Sequence, residues 1–342
     1  PRWVAKPTVA YLWARTVKCK NCRATVPLLK TQWLCRKKDG RKRVLLTMEP
    51  TPDKSGVVFG IASNVPLKGG NAAQRRVHDK RIASGTMSRS GAKCHCCGTI
   101  MTIDDIRIEG QAARLGYIQT ITVTEGQGTK EYRLPTSHEI NAAEQARGEL
   151  VRVFRDVPFG LPDESSPAGG GKGAGRAFSV QGYGLMKWRD LFHDRQLLAL
   201  GVLVRCVRSA NNSLQSGHAP PEWREAISSY LACGVDRLVD FCNVNTQWKI
   251  DADTINHALV RFAIQITWDF AEGNPIGSSA GAFDLCINRI ATGLDTLSHL
   301  PAEMVPPCVV NASAQSHRST VDVVLTDPPY YEAISYADLS DF

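Results

Sequence analysis

A chain of 342 residues with 43% apolar and 22% charged residues is long enough to bury about two domain cores and has the balance of a folded globular protein. No apolar run approaches the ~20 residues needed to cross a bilayer, since the best one, 197–204, stops at Arg205. The opening residues mix Arg2 and Lys6 with aromatics and carry no secretory signal, so the composition excludes a membrane span and a secreted disulfide framework.

The eleven cysteines fit a reducing cytoplasm, because Cys206, Cys233, Cys242 and Cys286 each stand alone in an apolar helical context, as core thiols do. The net charge of +8 is unevenly spread: residues 1–107 hold 22 Lys/Arg against 6 Asp/Glu, and the remainder 19 against 27. A basic half joined to an acidic half predicts that the first half meets a polyanion, a nucleic acid being the expected partner. The chain opens on Pro1 and both ends fall within patterned sequence, so it reads as a fragment of a longer protein.

In chain order, residues 1–18 read as a connector into a basic module that extends to about residue 105. This module has short strand-like runs at 44–48 and 57–61. Its chemistry lies in two C-x-x-C turns, Cys19-Lys-Asn-Cys22 and Cys94-His-Cys-Cys97, the second followed by Gly98. Each turn aims two thiolates at one ion, and two turns complete the tetrahedron that zinc prefers. Seventy-one residues separate the pairs, far more than the ~15–20 of a compact site, but loop closure becomes costlier only slowly with length. Four thiolates leave no open position for water, so Cys19, Cys22, Cys94 and Cys97 are read as ligands of a structural Zn2+. Cys35, His95 and Cys96 are left without a role.

Residues 106–160 read as a β-rich connector, with Ile118, Thr120, Ile121, Val123 and Tyr132 on a hairpin that turns at 125–128. Residues 161–180 are a Gly/Ser/Pro linker. Its run Gly169-Gly-Gly-Lys-Gly-Ala-Gly175 has the letters of a phosphate loop without the preceding strand or following helix that such a loop needs. Residues 181–300 form a helical region. One helix is capped by Asp190 and runs to about residue 207, a second opens at Pro220-Pro221, a third spans about 255–272 and a fourth about 282–300. His193, His257 and His317 show no ligand spacing.

In the last stretch, 301–342, the period changes. Val321-Asp-Val-Val-Leu-Thr326 has the apolar, β-branched character of a buried parallel strand, and Asp327-Pro328-Pro329-Tyr330 follows it directly. Ligands of open α/β sheets bind at the carboxyl ends of strands. The exocyclic amine of a base is a poor nucleophile because its lone pair is delocalised into the ring. Asp327 and the Pro328 carbonyl can each accept an N–H bond from such an amine and draw the lone pair out of conjugation. The two prolines fix the backbone and carry no competing donor, and Tyr330 offers a face for a base swung out of a duplex.

VVLTDPPYYEAISYADLSDF resembles the amino-methyltransferase motif of the DUF1156-type adenine-specific DNA methylases that contain a zinc ribbon. AYLWARTVKCKNC, KCHCCGT, GYGLMKWRDLFHDRQLLAL and TWDFAEGNP are similar to that group as well, in the same order, so the resemblance covers most of the chain. It implies an α/β architecture: a partial Rossmann-like, S-adenosylmethionine-dependent methyltransferase fold with an inserted split zinc ribbon and a helical region. It also implies adenine N6 in DNA as the target, with protein partners of a modification or defence system. The chain departs from the group in two places. A glycine-rich cofactor loop of the form D-P-F-A-G-G-G is absent, and Ser313 stands where many methyltransferases place an Asp against the cofactor's adenine ring. The fragment by itself is therefore expected to be inactive. The rival expectations are methylation of RNA or of cytosine N4, and a non-catalytic zinc-ribbon segment that only binds nucleic acid.

Overall fold

The computed structural model describes residues 6–171, 173–299, 305, 307–316, 321–331 and 333–342. The first part of the chain forms β1 (Thr8–Lys18), β2 (Thr25–Leu28), β3 (Trp33–Arg36), β4 (Arg43–Pro50), β5 (Val57–Ala62), α1 (Ala72–Ile82), β6 (Met87–Ser88), β7 (Gly91–Lys93) and β8 (Ile100–Met101). Next come α2 (Ile103–Gln111), β9 (Gly116–Glu125), β10 (Lys130–Arg133), α3 (Ser137–Phe154), α4 (Asp194–Ser216) and α5 (Pro221–Val239). The last elements are β11 (Gln247–Lys249), β12 (Thr254–Asn256), β13 (Asp269–Gly273), α6 (Phe283–Ser298) and α7 (Tyr336–Asp341). The architecture is mixed α/β with small antiparallel sheets: β10-β9-β1-β13 with β2 also on β1, β3-β4-β5, β6-β7-β8, and the hairpin β11-β12. Among the described residues no Rossmann-like parallel sheet is formed.

Within the expected connector at 1–18, Thr8–Lys18 is instead the central strand of the largest sheet. β1 pairs with β9 on one edge and with β13 and β2 on the other. With neighbours on both sides and packing on both faces, its burial does not alternate: Val9, Ala10, Leu12, Trp13, Ala14 and Val17 are all buried. Arg15 is buried with them, and its Nε donates to the Thr267 carbonyl at 2.8 Å and one Nη to the Tyr117 hydroxyl at 3.2 Å. Strands from 1–105, 106–160 and 181–300 thus share one sheet.

The expected helix over 255–272 is also replaced. Ile264, Ile266, Trp268 and Phe270 recur every second residue, the period of extended chain, and the segment ends in β13. There Glu272, 4% exposed, accepts from Trp13 Nε1 on β1 at 2.7 Å and from Arg195 Nη2 on α4 at 2.8 Å. This buried carboxylate joins the sheet to the helical layer, with the Arg195 guanidinium also lying 4.0 Å from the centre of the Tyr11 ring.

The helical region keeps α4, α5 and α6 close to their expected places. α4 starts at Asp194 rather than 190, because His193 is its N-cap while the Asp190 carboxylate accepts from the Met186 and Lys187 backbone amides around the preceding 3-10 turn, Trp188–Leu191. The hairpin β9-β10 forms as expected, but the stretch called β-rich also holds α3. Its Thr136/Glu139 capping box starts the helix, and Ala143, Ala146, Leu150 and Val153 form its buried face. A Cβ on Gly201 of α4 would lie 2.7 Å from the Phe154 ring, so this glycine allows α3 and α4 to pack closely.

The largest departure is at 321–326. This run has no strand partner, and Val323, Val324 and Leu325 are 72%, 71% and 92% exposed. A parallel strand is buried only where strands flank it, and the described residues provide none.

Glu139 yields a pH prediction. Burial raises its carboxyl, but the paired Arg133 guanidinium and the Thr136 amide and hydroxyl prevail and hold it at about 2, below the ordinary 4.5. A carboxylate depressed in the folded state stabilises above its unfolded pKa and loses that contribution as pH falls toward the folded value. Urea unfolding should therefore show stability declining between about pH 4.5 and 2, and E139Q should be less stable at neutral pH and lack that part of the acid slope.

Candidate metal centre and the Asp-Pro-Pro-Tyr segment

The two C-x-x-C turns are built alike. In the first, Cys19 N donates to the Ala24 carbonyl at 2.9 Å and Arg23 N to the Cys19 carbonyl at 3.0 Å; in the second, Cys94 N donates to Thr99 and Gly98 N to Cys94, both at 2.9 Å. The residue after each second cysteine is left-handed, Arg23 at φ 63° and Gly98 at φ 77°. β1 delivers the first turn and the β7-β8 connection the second.

The turns face each other, so that the Sγ atoms of Cys19, Cys22, Cys94 and Cys97 all lie within 4.8 Å of one another. Cys19 and Cys97 are 3.7 Å apart, as are Cys22 and Cys94. A zinc ion with Zn–S bonds of about 2.3 Å sits in a sulfur tetrahedron whose edge is about 3.8 Å, so the four sulfurs fit that ion. Without a cation the thiols share protons unequally. The Thr99 hydroxyl and amide hold Cys97 down at about 6. At Cys22 the Ala24 amide lowers the pKa, but desolvation and the neighbouring sulfurs raise it to about 12. A divalent ion held by Cys19, Cys22, Cys94 and Cys97 would displace those protons, and four thiolate ligands would leave no position for water, as in a structural site.

The spare residues lie outside this cluster. The Cys96 thiol donates to the Gly56 carbonyl at 3.3 Å, Cys35 is buried in the core, and His95 is exposed. His193, assigned no chemistry from sequence, is a packing residue as well as a cap, with its ring 4.5 Å from that of Trp13. Burial lowers its pKa, which favours the neutral ring. His317 and Lys172 lie outside the described residues.

The Asp-Pro-Pro-Tyr segment is not brought into a cleft. Asp327, Pro328, Pro329 and Tyr330 are exposed, and the Tyr330 amide donates to the Tyr336 hydroxyl at 3.4 Å. Two cavities, of about 750 and 530 Å³, are lined by other residues. The end of the segment is held more firmly. Leu339 packs on the main core, and the Phe342 ring stacks on Phe192, centroids 5.6 Å apart and 15° from parallel.

Ser313 is exposed just before a short 3-10 turn, Ala314–Ser316, and its carbonyl accepts from Ser316 N. It lines neither of the two cavities named above. Asn274 and Glu272 of the TWDFAEGNP stretch are engaged by Thr8, Val9, Trp13 and Arg195. The glycine run at 169–175 leads into a 3-10 turn rather than an α-helix. No helix among the described residues is long and apolar enough to cross a membrane. The chain matches no protein-family model, no curated protein and no solved structure.

Two predictions follow from the cluster's geometry. Elemental analysis should find one zinc per chain, lost in C94A, and Co2+ in its place should give the thiolate charge-transfer and tetrahedral ligand-field bands of a four-sulfur site. Arg23→Gly relieves a left-handed side chain at a cost of about 1–2 kcal/mol, so it should raise the melting temperature, whereas Gly98→Val should lower it with loss of zinc affinity.

Proposed function

We propose that the chain belongs to a DNA adenine-N6 methyltransferase, in which the zinc-anchored basic half holds the nucleic acid and the Asp-Pro-Pro-Tyr segment receives the target amine. The observation that carries this reading is the exposed run Val321–Thr326 directly before Asp327. Full burial of each such Val or Leu side chain is worth about 1.5–3 kcal/mol, so the run has a strong drive to join a sheet. Flanked by strands from outside the described residues, it would present Asp327 and the Pro328 carbonyl at its carboxyl end, the position at which open sheets bind ligands.

In that arrangement Asp327 and the Pro328 carbonyl each accept an N–H bond from the exocyclic amine, and the Tyr330 ring stacks on the flipped base. Asp327 need not act as a base, because the amine can lose its proton after it has become cationic. The described residues do not fit the methyl donor, so the reading requires a glycine-rich strand and loop contributed from elsewhere in the same enzyme.

Expressed with its upstream coding sequence, the chain should transfer labelled methyl groups from S-adenosylmethionine to DNA in preference to RNA. D327A should lower the rate by about 10²–10³-fold, the scale of removing one transition-state partner, with DNA affinity retained. Transfer at the wild-type rate by D327A would remove the role given to that carboxylate. A second reading, a metal-stabilised nucleic-acid-binding segment without chemistry, is favoured by the exposed position of Asp327. It would hold if the extended protein binds DNA but transfers no methyl group.

A further inference from the structure

α1 is an unusual helix to keep. Of its eleven residues only Asp79 is buried, while Arg75, Arg76, Lys80 and Arg81 are exposed, as is Val77 at 71%. With no apolar face to bury, the helix is held chiefly by polar contacts. The Asp79 carboxylate accepts from both Nη atoms of buried Arg43 and from Arg36, and its carbonyl accepts from Trp33 Nε1 at 3.2 Å. The Arg43 guanidinium in turn lies 4.7 Å from the Trp33 ring centre.

Between α1 and the β11-β12 hairpin runs an open groove of about 750 Å³, floored by the residues that follow β3. Seven cationic side chains line it against two carboxylates, Asp79 and Asp251, and Asp79 is already matched by Arg43 and Arg36. Lys38, Arg75, Arg76 and Lys249 have no carboxylate partner among the described residues. Gathering like charges within a Debye length of about 8 Å costs free energy unless an anion is present. The hairpin wall is fixed, since Trp248 Nε1 donates to the Leu34 carbonyl at 2.9 Å and Lys42 bridges to Asp253 at 2.6 Å. Trp248 and the amides of Gln247 and Asn256 add an aromatic edge and neutral hydrogen-bonding groups to the cationic lining.

We propose that this groove is the binding surface for the phosphodiester backbone of duplex DNA, with α1 lying along it. The proposal rests on the nucleic-acid part of the function above and not on its chemistry. A row of phosphates matches cations on both walls and the floor, whereas a helix that binds an anionic lipid surface carries a broad apolar face, which α1 lacks.

The test is fluorescence anisotropy of the zinc-loaded full chain with a labelled DNA duplex over a range of salt concentrations. The groove variant K38Q/R75Q/R76Q/K249Q is compared with R147Q/R155Q/R208Q/R289Q, which removes the same charge from exposed arginines elsewhere. The groove variant should bind at least tenfold more weakly near physiological salt, and its log K against log salt should be shallower by about 3–4, at about 0.9 per phosphate contact. The control should change little, and D327A not at all.

Equal affinity of the groove variant and the unaltered protein, or an equal loss in the control, would overturn the proposal. So would binding to phosphatidylserine vesicles that the groove variant loses while its DNA binding persists. If the fourfold variant loses zinc, R75Q/R76Q, confined to the exposed face of α1, decides by the same criteria. Methyl transfer by the extended protein together with unchanged DNA affinity in the groove variant would sink the groove and spare the chemistry. Groove-dependent binding without any methyl transfer would do the reverse.

Discussion

Four sulfurs within 4.8 Å of one another close a loop that carries most of the basic half of the chain. Between Cys22 and Cys94 lie β2 to β5, α1, β6 and β7, and the β3–β4 sheet has only a small core of its own against the α1 side, centred on Trp33, Leu45 and Ala83. The second and larger cluster is shared with β1 and β9. Apolar packing thus already seats the inserted sheet, and the helix held to it by Asp79, on the main sheet. The cysteine cluster adds a second tie, between the end of β1 and the β7-β8 turn. Closing so long a loop is entropically affordable because the cost grows only logarithmically, and a metal ion held by the four sulfurs would offset it locally.

What was legible in the sequence was local chemistry. The cysteine pairs could be read as one site because a C-x-x-C turn largely determines its own backbone, and the structure shows both turns with the same hydrogen bonds. The hairpin at 125–128 and the helices α4 to α6 were visible for the same reason, through turn residues and periodicity. α3 was legible too, in Thr136-Ser-His-Glu139, but the strand pattern before it drew the reading away. β1 was not, because a strand buried on both faces has no alternation to detect, and Arg15 inside it looks like a surface residue until Tyr117 and Thr267 are brought to it by folding. The role of Glu272 was hidden for a similar reason. Its meaning depends on Trp13 and Arg195, 259 and 77 residues away.

The charge asymmetry has a physical counterpart that composition could not locate. Many of the acidic side chains are consumed by nearby cations: Asp105 by Lys20, Glu109 by Arg114, Glu139 by Arg133, Glu272 by Arg195. The exposed pairs among these contribute little to stability, whereas Glu139 and Glu272 are buried, and all four neutralise the field around them. Among the cations left without a carboxylate partner in the described residues, Lys37, Lys38, Arg75, Arg76 and Lys249 are brought together where α1 faces the β11-β12 hairpin.

The C-terminal segment shows the opposite case, a motif whose local signature is strong while its structural context is missing among the described residues. Its two ends differ in kind. Phe342 is stacked on Phe192 and Leu339 is packed on the core, so α7 is already seated. The apolar residues at 323–325 face water. Strand pairing is a property of neighbours: the same six residues are a buried strand beside a sheet and an exposed run without one, because backbone donors and acceptors gain nothing from extending alone. Seating α7 first limits the search that such pairing needs, since the tether from Tyr330 to Tyr336 is only six residues long. On the proposed reading, the helical layer that holds Phe342 therefore does more than fill space, because it keeps Asp327 within one short tether of the place where a sheet edge would have to receive it.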